Sequence, residues 1–261
     1  MIITKKILQG VIDTAQKAAA VIMQVYNHEA FHVQMKSDAS PITIADERAN
    51  DIICATLEAL TPDIPIISEE NKEIIYEERR HFKYFWSVDP LDGTKEFIKR
   101  NGEFTVNIAL LENNKPILGV IAVPCQESVY YAVKGKGSFC LKNGKTKKIK
   151  CAGFSLTDEG LRIPISRSYA SPETNELIEK YKNPVLLPTG SALKFMYLAE
   201  GNLDIYPRIG TTMEWDTAAA QIILEEAGGQ LLQLDTRQPL QYNKVSLKNP
   251  NFLAHGVIVE S

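Results

Sequence analysis

Trp86-Ser87-Val88-Asp89-Pro90-Leu91-Asp92-Gly93-Thr94 starts as a strand of aromatic and branched residues and runs straight into two aspartates three apart, with a proline and a glycine to bend the backbone. Two carboxylates at a buried strand end repel each other and resist ionisation unless positive charge lies between them. A divalent cation is the usual remedy, and hard cations such as Mg²⁺ take oxygen ligands. A turn gives a plainer account of the same residues, with Asp-Pro opening it and the second Asp capping the next helix.

Two lookalikes fail. An EF-hand with Gly93 at its sixth position would put Val88 first and Lys99 twelfth, and neither can serve as those ligands. The haloacid dehalogenase phosphatases carry D-x-D-G-T; here the spacing is D-x-x-D-G-T, one residue longer, which rotates the first carboxylate away from that site. Two other segments repeat the pattern of an acid at an element boundary. Ile64 to Ile67 is an apolar run followed by Ser68-Glu69-Glu70, and Trp215-Asp216-Thr217-Ala218-Ala219 puts an acid at the entrance of a small-residue helix. Alone, Glu69 reads as exposed charge and Asp216 as an N-cap. Together, three such acids far apart in sequence point to one edge of a fold where turns bring them together.

Outward from this stretch, the N-terminal segment carries Ile7, Leu8, Val11, Ala15, Ala18, Ala19, Ile22 and Val25 at three- and four-residue steps, one apolar helical stripe. Phe31, Val33 and Met35 alternate with polar residues as in a half-buried strand, turn residues span Ser37 to Pro41, and a second helix carries Ala49, Ile52, Ile53, Leu57 and Leu60. Short apolar runs follow at Ile64 to Ile67, Tyr84 to Val88, Phe104 to Leu111, Pro116 to Val123 and Ser128 to Val133, which predicts an antiparallel sheet. Asn143-Gly144 reads as a hairpin turn. Beyond residue 150 the rhythm changes to α/β: strands at Arg162 to Ile165, Val185 to Leu187 and Leu203 to Tyr206 alternate with helices at Pro172 to Tyr181, Ala192 to Glu200 and Thr217 to Ala227. Two halves are therefore expected, 1–150 and 151–261.

The 261 residues are 44% hydrophobic and 23% charged, the balance of a folded chain large enough to need no disulfides. Cys54, Cys125, Cys140 and Cys151 form no CxxC pair, which excludes a zinc finger and fits reduced thiols. A net charge of −3 argues against a nucleic-acid polymer as partner, though not against an anionic small molecule. Gln9, Asp13, Gln16 and Lys17 break the N-terminal apolar run, so neither a signal peptide nor a membrane span is expected, and the cytoplasm is the expected location. Lys134 to Lys150 holds seven lysines and no acid; it reads as a solvated hairpin face, or else as a positive field for an anionic substrate or membrane surface.

Lys36-x-Asp38-x-Ser40-Pro41-x-Thr43-x-Ala45-Asp46, Ser68-Glu69-Glu70, Asp89-Pro90-Leu91-Asp92-Gly93-Thr94-Lys95-Glu96-Phe97 and Trp215-Asp216-Thr217-Ala218-Ala219 stand in the order of the inositol monophosphatase superfamily, and the chain resembles it over essentially its whole length. Within it, D-G-T-K-E-F, Gly190-Ser191-Ala192-Leu193-Lys194-Phe195 and Leu203-Asp204-Ile205-Tyr206-Pro207-Arg208 are similar to the 3′(2′),5′-bisphosphate nucleotidase branch of the bacterial CysQ type. Ala192, where that branch often has Ser, and Met213-Glu214 before Trp215 depart from it, which touches fine substrate contacts only.

The resemblance implies an α+β fold, a layered αβαβα sandwich of the inositol monophosphatase and fructose-1,6-bisphosphatase type. It also implies a lithium-sensitive phosphatase with two or more Mg²⁺ ions that removes the 3′-phosphate of adenosine 3′,5′-bisphosphate to leave AMP, and extends to the 3′-phosphoadenylyl sulfate form. Glu69, Asp89, Asp92, Asp216 and the Leu91 carbonyl are the implied metal ligands. Asp46, Thr94 and Glu69 are the implied catalytic group, with Asp46 holding the Thr94 hydroxyl and Thr94 and Glu69 orienting the attacking water. Gly93 and Thr94 would cradle the phosphate at a helix start, and Glu69, Leu91, Asp92, Asp216, Lys194 and Arg208 complete the implied substrate contacts. Ser166-Arg167-Ser168 is a weaker candidate for such contacts; Tyr206 would stack on a base or simply pack. An inositol or broad sugar-phosphate phosphatase, and a non-catalytic metal- or nucleotide-binding module, are the competing readings. Monomer and homodimer both stay open, as does peripheral attachment to the inner membrane.

Overall fold

The computed structural model describes residues 3–27, 33–35, 41–166 and 172–259. Helix α1 (Lys5–Asn27) buries Val11, Ile12, Ala15, Ala18, Ile22 and Val25, most of the expected stripe, with Ile7, Leu8 and Ala19 at its half-buried margins. Strands β1 (Val33–Met35) and β2 (Pro41–Thr43) pair antiparallel and lead into α2 (Ile44–Leu60), which lies beside α1 and buries Ala49, Ile53 and Leu57. Phe31, Lys36, Asp38 and Ser40 lie outside the described residues, as do Arg167 and Ser168.

β3 (Ile66–Ser68), a short helix α3 (Tyr76–Arg79) and β4 (Tyr84–Asp92) come next, followed by the one-turn α4 (Thr94–Ile98). A run of antiparallel strands then completes a seven-stranded sheet in the order β3 to β9: β5 (Thr105–Glu112), β6 (Lys115–Val123), β7 (Ser128–Val133), β8 (Gly137–Lys142) and β9 (Lys145–Ile149). The expectation of a purely antiparallel sheet needs one correction. β3 runs parallel to β4, with Ser68 level with Val88, because α3 carries the chain back to the starting end of the sheet. Asn143 and Gly144, both at positive φ, make the β8–β9 turn. Lys145, Lys147 and Lys148 are exposed on β9, the outer edge, where charge deters pairing with another chain.

One face of this sheet packs on α1 and α2, with Trp86, Val88, Leu110 and Val120 buried between them. The other packs on α6 (Leu193–Ala199) and α7 (Glu214–Glu226), burying Phe85, Ile121, Met196, Ile222 and Ile223. α7 sits so close that a Cβ added at Gly119 of β6 would meet the Ala219 carbonyl and Ile222 Cγ2, each at 2.5 Å. Gly119→Ala is therefore expected to lower the unfolding free energy by about 1–3 kcal/mol, read as a shifted denaturant midpoint with an unchanged m-value.

The rest of the chain builds a second, smaller strand layer. After the two-residue β10 (Gly153–Phe154), β11 (Arg162–Ile165) pairs parallel with β12 (Val185–Pro188) across α5 (Pro172–Ile178). β13 (Ile205–Arg208) and β14 (Gln230–Gln233) flank β15 (Phe252–His255), antiparallel on both sides. The α/β rhythm thus yields two short parallel pairs, β11 with β12 and β10 with Val257–Ile258, rather than a continuous parallel sheet, since the chain from α7 to β15 returns in hairpin fashion. The result is an α+β sandwich of alternating helical and strand layers. Among the described residues, no helix is long and apolar enough to cross a membrane, and all four cysteines are free thiols.

Candidate active site

Asp89 and Asp92 are an odd number of residues apart, so a regular strand would send their side chains to opposite faces. A bulge prevents this. Asp89 pairs with Asn107 and Asp92 with Thr105, so β4 uses one residue more than β5 over this span. The extra residue falls at Pro90-Leu91, where proline has no N–H to lose from the ladder, and it restores the parity that brings both carboxylates together. Gly93 then turns the chain at φ 93° into α4. A Cβ there would lie 3.1 Å from the Glu103 carbonyl and 3.2 Å from Ser191 Cβ, so glycine is required on both counts.

The third acid arrives on α7. Asp216 is not the N-cap but the third helical residue; its Oδ2 accepts the Met213 N–H at 2.8 Å, closing the helix start. Asp46 does the same for α2, where its Oδ2 accepts the N–H and hydroxyl of Thr43 at 2.8 and 2.7 Å. Each acid spends one oxygen on its helix and keeps the other for the site. The neighbouring Glu214, one of the three residues that depart from the resemblance, is buried and structural. It accepts the Asn243 N–H and the Lys244 ammonium, both at 2.5 Å, and so ties the start of α7 to the C-terminal loop.

Carboxylate oxygens of Asp89, Asp92 and Asp216 lie within 4.8 Å of one another. Glu69 is not one of this trio. It follows β3, donates its N–H to the Val88 carbonyl at 3.1 Å, and so stands next to Asp89. Burial pushes the Asp89 carboxyl well above the usual range, and Glu69 is the neighbouring charge that adds most. Burial and then Asp92 do the same to Asp216. Asp46 is also raised by burial, against the opposing hydrogen bonds from Thr43 and Thr94. Thr94 Oγ1 lies 3.1 Å from Asp46 Oδ1 and 3.3 Å from the Leu91 carbonyl. Glu69, Asp89, Leu91, Asp92, Thr94, Asp46 and Asp216 are thus gathered in one place, and one cation could touch three carboxylates at once.

Beside the trio opens a cleft of about 540 Å³ whose lining includes Asp92, Gly93, Asp216, Ser166, Lys194 and Arg208. The lysines of Lys134 to Lys150 are not among its walls. Lys194 is 6% exposed, and its Nζ donates to the Ser191 carbonyl at 3.2 Å; burial pushes its pKa down to about 8. Arg208 Nε is buried with no hydrogen-bond partner, and its Nη2 donates to the Thr211 carbonyl at 3.3 Å. Tyr206 packs edge-on against Phe195 and Phe252 under the Lys194 ammonium, which matches the packing account of it. Sequence reasoning missed Ser191 and Thr105, whose hydroxyls lie 2.5 and 3.4 Å from Asp92 Oδ2. Ser191 stands in the 190–195 stretch that carries the resemblance, but the resemblance gives it no role.

Comparison with known proteins agrees with this geometry. The model of the inositol monophosphatase family matches residues 4–261. The chain is 42% identical to the 3′(2′),5′-bisphosphate nucleotidase CysQ of Escherichia coli (strain K12), over 94% of this chain and 98% of that one. It is 43% identical to the CysQ of Buchnera aphidicola from Acyrthosiphon pisum, over 98% and 96%. The crystal structure of CysQ from Bacteroides thetaiotaomicron superposes with a TM-score of 0.85 at 38% identity, covering 97% of each chain. Convergence of acids from β3, β4 and α7 on one bulged strand end, together with a family match along nearly all of its length, means that the chain belongs to the inositol monophosphatase family.

Proposed function

We propose that this protein is a phosphomonoesterase that removes the 3′-phosphate of adenosine 3′,5′-bisphosphate, leaving AMP and inorganic phosphate, with the 3′-phosphoadenylyl sulfate form as a second substrate. The observation that carries this reading is a cleft with carboxylates at one end whose lining also holds two cations, Lys194 and Arg208, whose side-chain hydrogen bonds among the described residues go to main-chain carbonyls. An acidic end alone would suit any metal-assisted phosphatase; a buried ammonium and a half-buried guanidinium in the same cleft call for a second anionic group on the substrate. Relatives named 3′(2′),5′-bisphosphate nucleotidase at about 40% identity support the same choice.

The acidic end fits Mg²⁺. Its donors are all hard oxygens, and the raised carboxyls of Asp89 and Asp216 are what such a cluster shows without a counter-charge. Glu69, Asp89, Asp92, Asp216 and the Leu91 carbonyl would hold two or more ions. Mg²⁺ held there would supply positive field for the incoming phosphate, greater acidity to a water and a counter-charge for the leaving oxygen. The chain's own residues do the rest. Thr94 Oγ1 gives its proton in a hydrogen bond to Asp46 Oδ1, which leaves its lone pairs to accept from the attacking water. Glu69 accepts on the water's other side. Gly93, without a side chain, lets the phosphate approach the start of α4, while Lys194 and Arg208 hold the phosphate that stays.

With Mg²⁺ present, the purified protein is expected to release phosphate from adenosine 3′,5′-bisphosphate far faster than from inositol monophosphate or AMP, and to stop when chelator is added. Release from inositol monophosphate with the bisphosphate untouched would overturn the substrate. Binding of the nucleotide with no release at all would make the protein a binding module.

A further inference from the structure

Ser191 is a non-glycine residue in the left-handed region, at φ 53°, in the turn from β12 to α6. Only a local requirement keeps a side-chain-bearing residue there. Its hydroxyl lies 2.5 Å from Asp92 Oδ2, 3.1 Å from the Asp92 carbonyl and 2.8 Å from Thr105 Oγ1. The next N–H, of Ala192, donates to Asp92 Oδ2 at 2.6 Å. These donors fix the rotation of the Asp92 carboxylate against Asp89 and Asp216. The Ser191 carbonyl holds the Lys194 ammonium at 3.2 Å. One residue therefore grips Asp92 of the acidic trio with its side chain and a cation of the same cleft with its main chain. A right-handed Ser191 would extend α6 backward by one residue and turn that carbonyl along the helix axis, away from Lys194.

We propose that Ser191 is a positioning residue that sets the spacing between the carboxylate cluster and the Lys194 ammonium, and with it the separation of the two phosphates that the cleft accepts. This rests on the two-phosphate reading of the cleft. The hydroxyl and the backbone carry separable parts of the task. Ser191→Ala removes the hydroxyl and keeps the carbonyl; Ser191→Gly removes the hydroxyl and also frees the backbone.

Titrating Mn²⁺ alone into the nucleotide-free protein by calorimetry tests the first part. Ser191→Ala is expected to weaken Mn²⁺ about tenfold or more, the usual effect of losing a hydrogen bond to a metal ligand. It should lower kcat while leaving KM for adenosine 3′,5′-bisphosphate within threefold of the parent. Ser191→Gly is expected to raise that KM as well, and to narrow the preference for the bisphosphate over adenosine 3′-monophosphate at least fivefold. Parental Mn²⁺ affinity in Ser191→Ala overturns the grip on Asp92, and an unchanged substrate preference in Ser191→Gly overturns the spacing role. If the parent protein itself releases nothing from the bisphosphate, the functional reading and the spacing role fall together, and the Mn²⁺ titration still decides the Asp92 contact. If a Ser191 variant does not fold, Thr105→Val takes its place: Mn²⁺ weakened at least threefold supports the Asp92 network, and unchanged affinity overturns it.

Discussion

Asp89→Asn is expected to cut phosphate release by about three orders of magnitude and, in chelator, to raise the thermal midpoint of the protein. The activity loss follows from the several kcal/mol that a correctly held metal supplies to the transition state, at 1.36 kcal/mol per tenfold. The gain in stability comes from the same residue. Asp89 is 2% exposed, and burial and Glu69 together push its carboxyl up. The folded chain thus holds that proton more tightly than the unfolded one does. The stability from this is complete below the unfolded carboxylate value, near 4, and is lost as pH rises through the raised folded value. At neutral pH the metal-free protein therefore carries a repulsion that asparagine relieves while still accepting the Leu91 N–H, which lies 3.1 Å from Asp89 Oδ1 in the parent. Calorimetric scans in chelator from acid to neutral pH should show a falling midpoint in the parent and a flatter one in the variant. A variant with parental turnover, or one less stable than the parent in chelator, would contradict the placement of Asp89 in a charge-crowded metal site.

Lys194→Met is expected to raise KM for adenosine 3′,5′-bisphosphate roughly 10- to 100-fold, the value of one charged hydrogen bond at about 1.5–3 kcal/mol. Turnover of a substrate with a single phosphate should hardly change. Methionine fills the space of the lysine stem, so the core under Tyr206 stays packed. The pH profile separates charge from shape. With the Lys194 pKa pushed down to about 8, its positive charge is present below that value and lost above it. The parent kcat/KM, which reports groups of the free enzyme, should then fall as pH rises through about 8, and the variant should lack this limb. The depressed pKa also means that the folded chain binds this proton less tightly than the unfolded one, so the ammonium costs stability at neutral pH. Lys194→Met should unfold at a higher temperature than the parent at pH 7. A parental KM, with the alkaline limb intact, would remove Lys194 from substrate binding.

Much of the arrangement was legible in the chain because it is written locally. The stripe of α1, the strand run from Tyr84 to Val133 and the Asn143-Gly144 turn need only neighbouring residues to specify them, and all appear close to their expected bounds. The acids Glu69, Asp89 and Asp216 were conspicuous because each interrupts an apolar run at an element boundary, and the fold gathers them. Three features depend on distant partners and left little local trace. The parallel pairing of β3 with β4 follows from where α3 returns the chain, not from the composition of either strand. Asp46 and Asp216 each use one oxygen to close a helix start from its third position and leave the other toward the carboxylate cluster, so a helix-start role and a site role do not compete for the same atom. Ser191 acts on Asp92 across 99 residues of sequence, and no spacing rule reaches that far.

The extra residue at Pro90-Leu91 makes this centre a matter of phase. Two strands can exchange most of their side chains and stay in step, but shortening β4 by a single residue there would put it half a pleat out. Asp92 would then swing through the sheet to the far side, with Gly93, Thr94 and the start of α4 dragged behind it. The count of residues from Asp89 to Asp92 therefore constrains the site as strictly as their identities do.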